Sequence, residues 1–430
     1  MVNTDLKQLE LVNKTGKLSE EWHWKSLSYL ARDTERINPS KHFPENTFKY
    51  VDIGSVDNHL GKIVKTQTLL GQQAPSRARK LIKADDIIIA TTRPYLRNIA
   101  IVPLELNQAI CSTGFCVLRA NADIAVPKYV YYACRSNIVI KQLIPKQRGA
   151  SYPAVTDNDI FESVIPVPFP DNPIRSLDIQ RRIVARIEAL LAEVKESRNL
   201  IYKIEQDAKR FLSVALDEVF TKLESVIDIV QFDKIATAFN GKAIGEGESS
   251  IRVFKSKHVY PHSLRLDKPS FMKVEQVPKI PKNRFLRPSD VLMANAAEGT
   301  LGRVTYVSEC EEQWTVDGKI MILRSLDEQN LLLNKWLYYY LWSARGRQEI
   351  LSRRTGTAFA ENRGQTGISP KSVLEIPVPL PPINEQRQAV AYLDSIQHEA
   401  DEILKLLEQD AKLLDMLEQS ILERAFRGEL

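Results

Sequence analysis

Two stretches of the chain carry apolar residues at alternating spacings of four and three over about forty residues each. This spacing, with one polar residue in each series, is typical of a helix that packs along another helix. At about 1.5 Å per residue, a helix of this length spans about 60 Å. The predicted apolar seam comprises Ile183, Ile187, Leu190, Val194, Ile201 and Ile204 in the first helix, and Leu393, Ile396, Ile403, Leu407, Leu414 and Leu417 in the second. A long helix packed only on its own domain is the alternative.

Each helical stretch follows a proline-rich segment, and the two segments resemble one another. The first reads Ile-Pro-Val-Pro-Phe-Pro over residues 165–170, and the second reads Ile-Pro-Val-Pro-Leu-Pro-Pro over residues 376–382. Gln180 and Gln386 are 206 residues apart, and so are Phe220 and Phe426 near the ends of the helices. The repeat predicts one module of about half the chain in two copies. Similar modules at the start of each helix predict that the two helices run antiparallel.

Both predicted modules show the same order of short apolar segments. In the first, residues 87–90, 99–102 and 115–118 are predicted strands and residues 129–134 a helix. In the second, the strands correspond to residues 291–294, 304–307 and 320–323, and residues 335–340 match residues 128–133. The connecting loops differ, which favours one scaffold that carries two binding specificities over a duplication that has decayed at random.

The pattern therefore predicts an α+β chain in five parts. Two α/β modules alternate with two long antiparallel coiled-coil helices, related by a pseudo-twofold internal repeat. The parts are a lead-in at 1–21, a first module at 22–170, a central helix at 171–224, a second module at 225–382 and a C-terminal helix at 383–430.

Charge is distributed unevenly along the chain. The net charge is +5, but residues 77–148 hold 12 Lys and Arg against 4 Asp and Glu, and residues 250–370 hold 19 against 12. The last helix, from residue 384, holds 5 against 11. Basic modules on an acidic frame favour a protein whose modules bind a polyanion. The alternative is that these are ordinary solvated surfaces whose charges differ by chance.

Several functional classes are disfavoured by the sequence. It has neither an apolar run long enough for a membrane span nor the apolar core of a signal peptide. The four cysteines form no Cys-x-x-Cys pair and are interpreted as reduced thiols of a cytoplasmic protein, with no metal site. Neither a nucleotide-binding loop nor a catalytic Ser/His/Asp or Cys/His set is evident. The sequence indicates binding rather than catalysis.

At this point the motifs resemble a known family, the specificity (S) subunits of type I restriction–modification systems. The resemblance rests on the duplicated proline-rich segments, the helix starts Gln180-Arg-Arg-Ile-Val and Glu385-Gln-Arg-Gln-Ala-Val, and the ending Ala425-Phe-Arg-Gly-Glu-Leu. It covers nearly the whole chain. The first copy departs from the pattern by five extra residues, 171–175, and lacks the Arg-Gly-Glu ending.

The resemblance implies a non-catalytic subunit that binds double-stranded DNA in phage defence. Each module would be a target recognition domain for one half of a bipartite site, and the helices would set the spacer. Two methyltransferase (M) subunits would dock and flip an adenine for methylation, and restriction (R) subunits would add cleavage. No cofactor is expected in this chain, since S-adenosylmethionine, ATP and Mg would belong to the partner subunits.

Within such modules, Lys and Arg are expected to contact phosphates, and Arg, Asn, Gln and other polar loop residues to read bases. In the first module the candidates are Arg77, Arg79, Lys80, Arg93, Tyr95, Arg97, Asn98, Lys146, Arg148 and Tyr152. In the second they are Lys242, Lys255, Lys257, His258, Asn295, Arg303, Arg353, Arg354, Phe359 and Arg363. Ordinary surface charges or packed aromatics are the alternative for each residue.

Two other functions remain open from the sequence. The chain is also compatible with the specificity subunit of a methyltransferase-only or other phage-defence complex. A coiled-coil protein-interaction scaffold that binds no nucleic acid is the second alternative, and the salt dependence of DNA binding separates it from the others.

Overall fold

The computed structural model describes residues 21–222, 228–242, 245–260, 263–264, 270–296, 299–311, 313–326, 331–355 and 366–430. The chain divides into two compact units. The first unit ends at Ile201 and also contains Gln409–Leu430, and the second unit is Tyr202–Glu408. Each long helix therefore contributes one part of its length to each unit.

The first unit contains twelve strands among its described residues. They are β1 Trp22–Ser26, β2 Ala31–Arg32, β3 Thr47–Val51, β4 Val56–Asp57, β5 Lys62–Ile63, β6 Gln67–Leu70, β7 Ala78–Leu81, β8 Ile87–Ala90, β9 Ile99–Ile101, β10 Ile110–Ser112, β11 Phe115–Ala120 and β12 Val164–Pro168. Two four-stranded sheets have the orders β6-β3-β10-β7 and β2-β11-β8-β9, and β1 pairs antiparallel with β12. The proline-rich segment is thus an edge strand, which tolerates residues without a backbone N–H.

Short helices accompany these strands. They are α1 Leu27–Leu30, α2 Pro39–His42, α3 Pro127–Arg135, α4 Asn137–Leu143 and α5 Asp157–Phe161. Strand β8 is buried on both faces, because Ile87 and Ile89 pack with α3 and α4 while Ile88 and Ala90 pack into a second apolar cluster. The continuous apolar run of β8 reflects this position between two cores.

The second unit repeats this plan. Its strands are β13 Ile229–Gln231, β14 Ala236–Asn240, β15 Arg252–Phe254, β16 Val259–Tyr260, β17 Ser263–Leu264, β18 Ser270–Phe271, β19 Val291–Ala294, β20 Val304–Tyr306, β21 Trp314–Val316, β22 Ile320–Ser325 and β23 Pro377–Pro379. The order β14-β22-β19-β20 matches β2-β11-β8-β9, and β13 pairs with β23 as β1 pairs with β12. The helices of this module are α7 Leu331–Trp342, α8 Ala344–Ser352 and α9 Pro370–Leu374.

A buried ion pair is repeated between the two modules. The Arg119 guanidinium donates to both carboxylate oxygens of Asp86 at 2.9 and 2.8 Å, and Arg324 donates to both oxygens of Asp290 at 2.7 Å. Each aspartate immediately precedes the central strand of its sheet. Such bidentate pairs fix the geometry of strand and partner.

The two long helices are α6 Pro173–Lys222 and α10 Ile383–Arg427. Gln180 of α6 is fully buried and bonds the backbone of Val126 and Ile124 at 2.8 and 3.1 Å. Gln386 of α10 is also buried and donates to Pro381 O at 2.7 Å. Gln180 thus fixes the start of α6 to the first module, whereas Gln386 bonds the proline-rich segment that precedes α10.

The opposite end of each helix completes a core. The Phe426 ring of α10 lies 5.0 Å from the Tyr129 ring in the first unit, and the Phe220 ring of α6 lies 4.8 Å from the Trp336 ring in the second. In the first unit Ile187 shares a core with Leu422, while Arg198 contacts Asp415 at 2.8 Å. The two helices are therefore antiparallel there, and the predicted α+β chain with long paired helices is confirmed.

The predicted seam is partly wrong in register. Ile183, Ile187, Val194, Leu393 and Leu407 are buried, and Leu190, Ile201, Ile396, Ile403 and Leu414 are half-buried. Ile204 and Leu417, however, are 38% and 48% exposed. A strict seven-residue repeat drifts by about 20° per heptad around a straight helix. In these parts of the helices other positions are therefore buried, such as Leu212 of α6 and Leu422 of α10.

Candidate nucleic-acid interface

Two loops of the first module join into one surface. The loop after β8 pairs with the loop before α5 through a bridge from Thr92 to Ala154, and Arg148 forms a second bridge to Ala154 within the latter loop. The Arg93 N–H also donates to Pro153 O at 2.7 Å, and the Val155 N–H to Thr91 O at 2.9 Å. We call residues 91–98 and 147–155 the joined loops of the first module. Their backbone contacts hold the loops together without using their exposed side chains.

The joined loops display aromatic and basic side chains. Tyr152 is 72% exposed, and the Arg93 guanidinium lies 4.8 Å from the centre of its ring. Tyr95 is also exposed, and Asn98 is half-buried. Aromatic faces stack on bases and guanidinium groups bind phosphates or guanine edges. The combination suits contact with a nucleic acid.

Arg148 is held at the surface by a carboxylate from the underlying helix. Its guanidinium donates to Asp159 at 2.7 Å, and Asp159 also accepts from the Thr156 backbone N–H at 2.8 Å and its hydroxyl at 2.7 Å. The hydrogen bond from Arg148 and those from Thr156 hold the pKa of Asp159 well below its usual range, although burial opposes them. Lys146 lies 3.2 Å from Glu162 in the same way. Both basic side chains are thereby oriented rather than free.

The second module joins the equivalent loops. Ala296 and Thr355 both form bridges with Gly367, and the Ile368 N–H donates to Asn295 O at 2.9 Å. We call residues 295–296 and 299–303, together with 353–355 and 366–367, the joined loops of the second module. Apart from Asn295, the candidates with described side chains there are Arg303, whose guanidinium is 5.6 Å from the Tyr260 ring, Arg353, which pairs with Glu349, and the exposed Arg354. Phe359 and Arg363 lie outside the described residues.

The other predicted basic residues lie outside the joined loops. Arg77 and Lys257 are exposed, and Arg79 is half-buried and donates to Ala78 O at 2.7 Å. Lys242 donates to Lys279 O at 2.8 Å, and Lys255 pairs with Glu246. None of the contacts named here is with the joined loops.

Four of the residues predicted to contact DNA make contacts inside their own unit instead, which corrects their assignment. Lys80 is buried and contacts Asp157 and Phe115 O, each at 2.5 Å. Arg97 points to the long helix α10 instead of outward. Asn295 is buried and donates to Asn240 at 2.7 Å, and buried His258 accepts from the Lys255 N–H at 2.9 Å. The sequence did contain a signal that Lys80 is buried. Side chains alternate between the two faces of a strand, so Lys80 lies on the same face of β7 as the buried Ala78.

The long helices also expose apolar side chains. On α10 of the first unit Leu413, Met416 and Leu417 are exposed, and on α6 of the second unit Tyr202, Phe211 and Val214 are exposed. Clusters of large exposed apolar residues mark surfaces that other proteins cover. Sequence reasoning placed Leu417 in the seam and so missed this surface.

The described ranges contain no group of three His, Cys, Asp or Glu residues that could hold a metal ion. Within the same ranges, none of the helices combines the length and apolar character needed to cross a membrane. The three fully buried thiols, Cys111, Cys116 and Cys134, have raised pKa values because of burial, to about 12 for Cys111. They are therefore packing residues rather than nucleophiles.

No model of a protein family matches the chain. Curated relatives do: the type I restriction enzyme EcoKI specificity subunit of Escherichia coli K12 is 22% identical over 96% of this chain and 90% of its own length. The HindI specificity subunit of Haemophilus influenzae is 23% identical over 51% of this chain, and the match spans 46% of that subunit.

Two solved structures are more similar in sequence to this chain. The HsdS subunit from Thermoanaerobacter tengcongensis is 35% identical over 96% of this chain and 99% of its own, with a TM-score of 0.55. A chain from work on complex assembly and conformational transition of the type I R-M system is also 35% identical, with coverage of 96% and 100% and a TM-score of 0.75. The chain therefore belongs to the family of type I restriction–modification specificity subunits.

Proposed function

We propose that the chain is the DNA-recognition subunit of a type I complex and reads a bipartite site, one half with each module. The observation that carries this proposal is the repeated pair of joined loops. Both modules bring together the loop after the central strand and the loop before the last short helix, yet the side chains displayed differ. One scaffold with two sets of contact residues suits an asymmetric site with two different halves.

The long helices would set the spacer and bind the methyltransferase subunits. The exposed apolar residues of α6 and α10 support the second role, because a protein partner would remove them from water. In this proposal two M subunits bind S-adenosylmethionine and methylate adenine, and R subunits use ATP and Mg to cleave. We further propose that the chain itself is non-catalytic and works in the cytoplasm, with no metal site among the residues that the structure describes.

The first experiment is co-expression of the chain with a methyltransferase subunit of its own system, followed by mapping of methylated adenines in host DNA. A split motif with a fixed gap is the expected result. Exchange of residues 22–165 for the corresponding part of another specificity subunit should change one half of that motif only. Absence of methylation that depends on the chain would reject the proposal and favour a scaffold.

Tyr152→Ala tests the joined loops directly. Because stacking on an aromatic side chain contributes about 1–3 kcal/mol per base, we expect about tenfold weaker binding or more of the complex to its site. Tyr29→Ala is the matched control. Tyr29 is also exposed, and Lys25 Nζ lies 5.1 Å from the centre of its ring, but it lies outside the joined loops.

Salt dependence gives an independent measurement on the same complexes. Contact with about six phosphates should give a slope near −5 for log affinity against log salt concentration, and the Tyr152→Ala variant should keep that slope. Equal effects of the two tyrosine variants, or a slope near zero, would argue against contact through this surface.

A further inference from the structure

Arg97 lies at the end of the 3₁₀ turn Pro94–Leu96, within the joined loops of the first module. Its guanidinium points into the module, where it donates to Arg135 O and Asn137 Oδ1, each at 2.6 Å. The same Nη1 donates to Gln419 of α10. One side chain therefore connects the joined loops, the junction of α3 and α4, and the last part of the long helix.

Charged and polar neighbours extend this connection along α10. Asn137 donates to Glu423 at 2.7 Å, and Arg135 lies 3.4 Å from Glu418. Arg198 of α6 pairs with Glu418 at 3.1 Å and with Asp415 at 2.8 Å. We call this set the Arg97 cluster: Arg97, Arg135, Asn137, Arg198, Asp415, Glu418, Gln419 and Glu423, all of which belong to the first unit.

The backbone at Arg97 is in the left-handed region, with φ of 54°. The second module needs the same turn, because the Ala90 N–H donates to Asn98 O and the equivalent Ala294 N–H donates to Arg303 O. The residue before Arg303 is Gly302, with φ of 77°. Glycine is the usual residue at such a φ, whereas a longer side chain is disfavoured there. The first module keeps an arginine at this position, which indicates that its side-chain contacts matter.

Four other members of the Arg97 cluster, Arg135, Asn137, Glu418 and Gln419, are replaced by different residues in the second unit. Ser136 and Ser343 both cap the following helix, so Arg135 corresponds to Trp342 and Asn137 to Ala344. The 206-residue repeat aligns Glu418 with Leu212 and Gln419 with Ser213. Leu212 is buried in the core of the second unit, and Trp342 packs against that core. The shared scaffold does not require the Arg97 cluster, since apolar packing occupies the same place in the other copy.

We propose that Arg97 is a positioning residue that couples the joined loops of the first module to α10. It holds the joined loops of the first module at one place along α10. The complex would then accept the first half-site at only one distance from the second half-site. This inference rests on the proposed function, since it assigns a role in reading to a side chain that does not face the DNA. At the equivalent position of the second module, Gly302 has no side chain to make this contact, and Leu212 of α6 packs in the apolar core of that unit.

Arg97→Gly in the full chain tests the coupling. Glycine suits the backbone, so the variant should fold while it loses every guanidinium contact. We expect amide hydrogen exchange in residues 91–98 and 415–423 to rise about tenfold, the factor expected when hydrogen bonds to a charged group are lost. Gln419→Ala approaches the same contact from the helix, leaves the loop sequence intact and should also accelerate exchange in residues 91–98. Ser420→Ala, at the exposed neighbouring position, is the matched control and should change neither segment.

The positioning role is tested in the assembled methyltransferase complex. Methylation is compared on sites with the native spacer and on sites one base pair longer or shorter. We expect Arg97→Gly to reduce the preference for the native spacer about tenfold, Gln419→Ala to act similarly, and Arg97→Lys to restore part of it. A double variant should show no more than the effect of the stronger single variant.

Two results would overturn the inference: unchanged exchange in both segments, or an equal loss of methylation at all spacings. The second result would indicate a structural contribution to the module without control of position. If the unaltered complex methylates no bipartite site, the proposed function fails, while the exchange experiment still decides whether Arg97 couples the joined loops to α10.

Discussion

Asp159 connects the interior of the first module to its joined loops. Its carboxylate accepts hydrogen bonds from Arg148 and from the Thr156 backbone N–H and hydroxyl, while its own side chain is almost fully buried. Thr156 and Asp159 also form the capping box of α5. One ionised group thus stabilises the start of a helix and orients an exposed arginine.

The charge on Asp159 predicts an acid-sensitive first module. Its pKa in the folded chain lies below the value of about 3.9 for an unfolded aspartate. The associated stability is therefore present above about pH 4 and is lost as the pH falls towards the lowered pKa. We expect Asp159→Asn to reduce the free energy of unfolding at pH 7, and the difference from the unaltered chain to shrink below pH 4.

Denaturant titrations at several pH values measure this difference. Asp123→Asn is the control, because Asp123 forms an exposed pair with Arg32 at 2.6 Å and such pairs contribute little to stability. A difference between Asp159→Asn and the unaltered chain that stays constant from pH 7 to pH 3 would contradict the assigned role of the carboxylate.

Single residues show where sequence reasoning stops. The sequence identified the loops at 93–98 and 146–152 from their Arg, Gly, Pro and Tyr content, and these loops do meet. It could not distinguish Arg93, which faces outward over Tyr152, from Arg97, which turns inward to Gln419. Both arginines have a positive φ, and the direction of each side chain depends on acceptors more than thirty residues away in sequence.

At the scale of elements, periodicity identified both long helices but not the register along their full length. Apolar spacing predicted helices at 171–224 and 383–430, and the structure has them at Pro173–Lys222 and Ile383–Arg427. The seam residues nearest the start of α6 are buried, whereas Ile204 and Leu417 are exposed. An apolar repeat of 3.5 residues does not specify at which residue the buried stripe moves to a neighbouring position on a helix with 3.6 residues per turn. That residue depends on the surface of the partner.

The two leucines Leu422 and Leu417 of α10 test this change of register. Leu422 is fully buried in the core of the first unit, whereas Leu417 is about half exposed. We expect Leu422→Ala to lower the free energy of unfolding by about 2–5 kcal/mol, the usual range for a buried leucine. Leu417→Ala should lower it by less than about 1 kcal/mol and should instead weaken methyltransferase binding.

Denaturant unfolding and titration with the methyltransferase subunit give the two quantities separately. The pair is matched in residue type and in helix, so helix propensity cancels between the variants. Equal losses of stability would show that Leu417 belongs to the packed seam after all. Unchanged partner binding in Leu417→Ala would exclude this part of α10 as the docking surface.

At the scale of the whole molecule, each long helix begins in one unit and ends in the other. Phe426 packs on Tyr129 of the first module, and Phe220 packs on Trp336 of the second. Sequence repetition gave the correspondence of the two phenylalanines. It did not identify the aromatic rings on which they pack. Tyr129 precedes Phe426 in the sequence whereas Trp336 follows Phe220, the separations are very different, and the two partner residues differ in type.

This arrangement predicts that each phenylalanine stabilises the module that is distant from its own helix start. Both side chains are buried, so replacement by alanine should cost about 3–5 kcal/mol. Phe426→Ala should therefore accelerate amide exchange in Pro127–Arg135, and Phe220→Ala should do so in Leu331–Trp342. Phe211→Ala is the matched control, since Phe211 lies on α6 but is exposed. If Phe220→Ala accelerated exchange around Tyr129 instead, each helix end would stabilise the module at its own start, and the assignment of the two helix ends would be wrong.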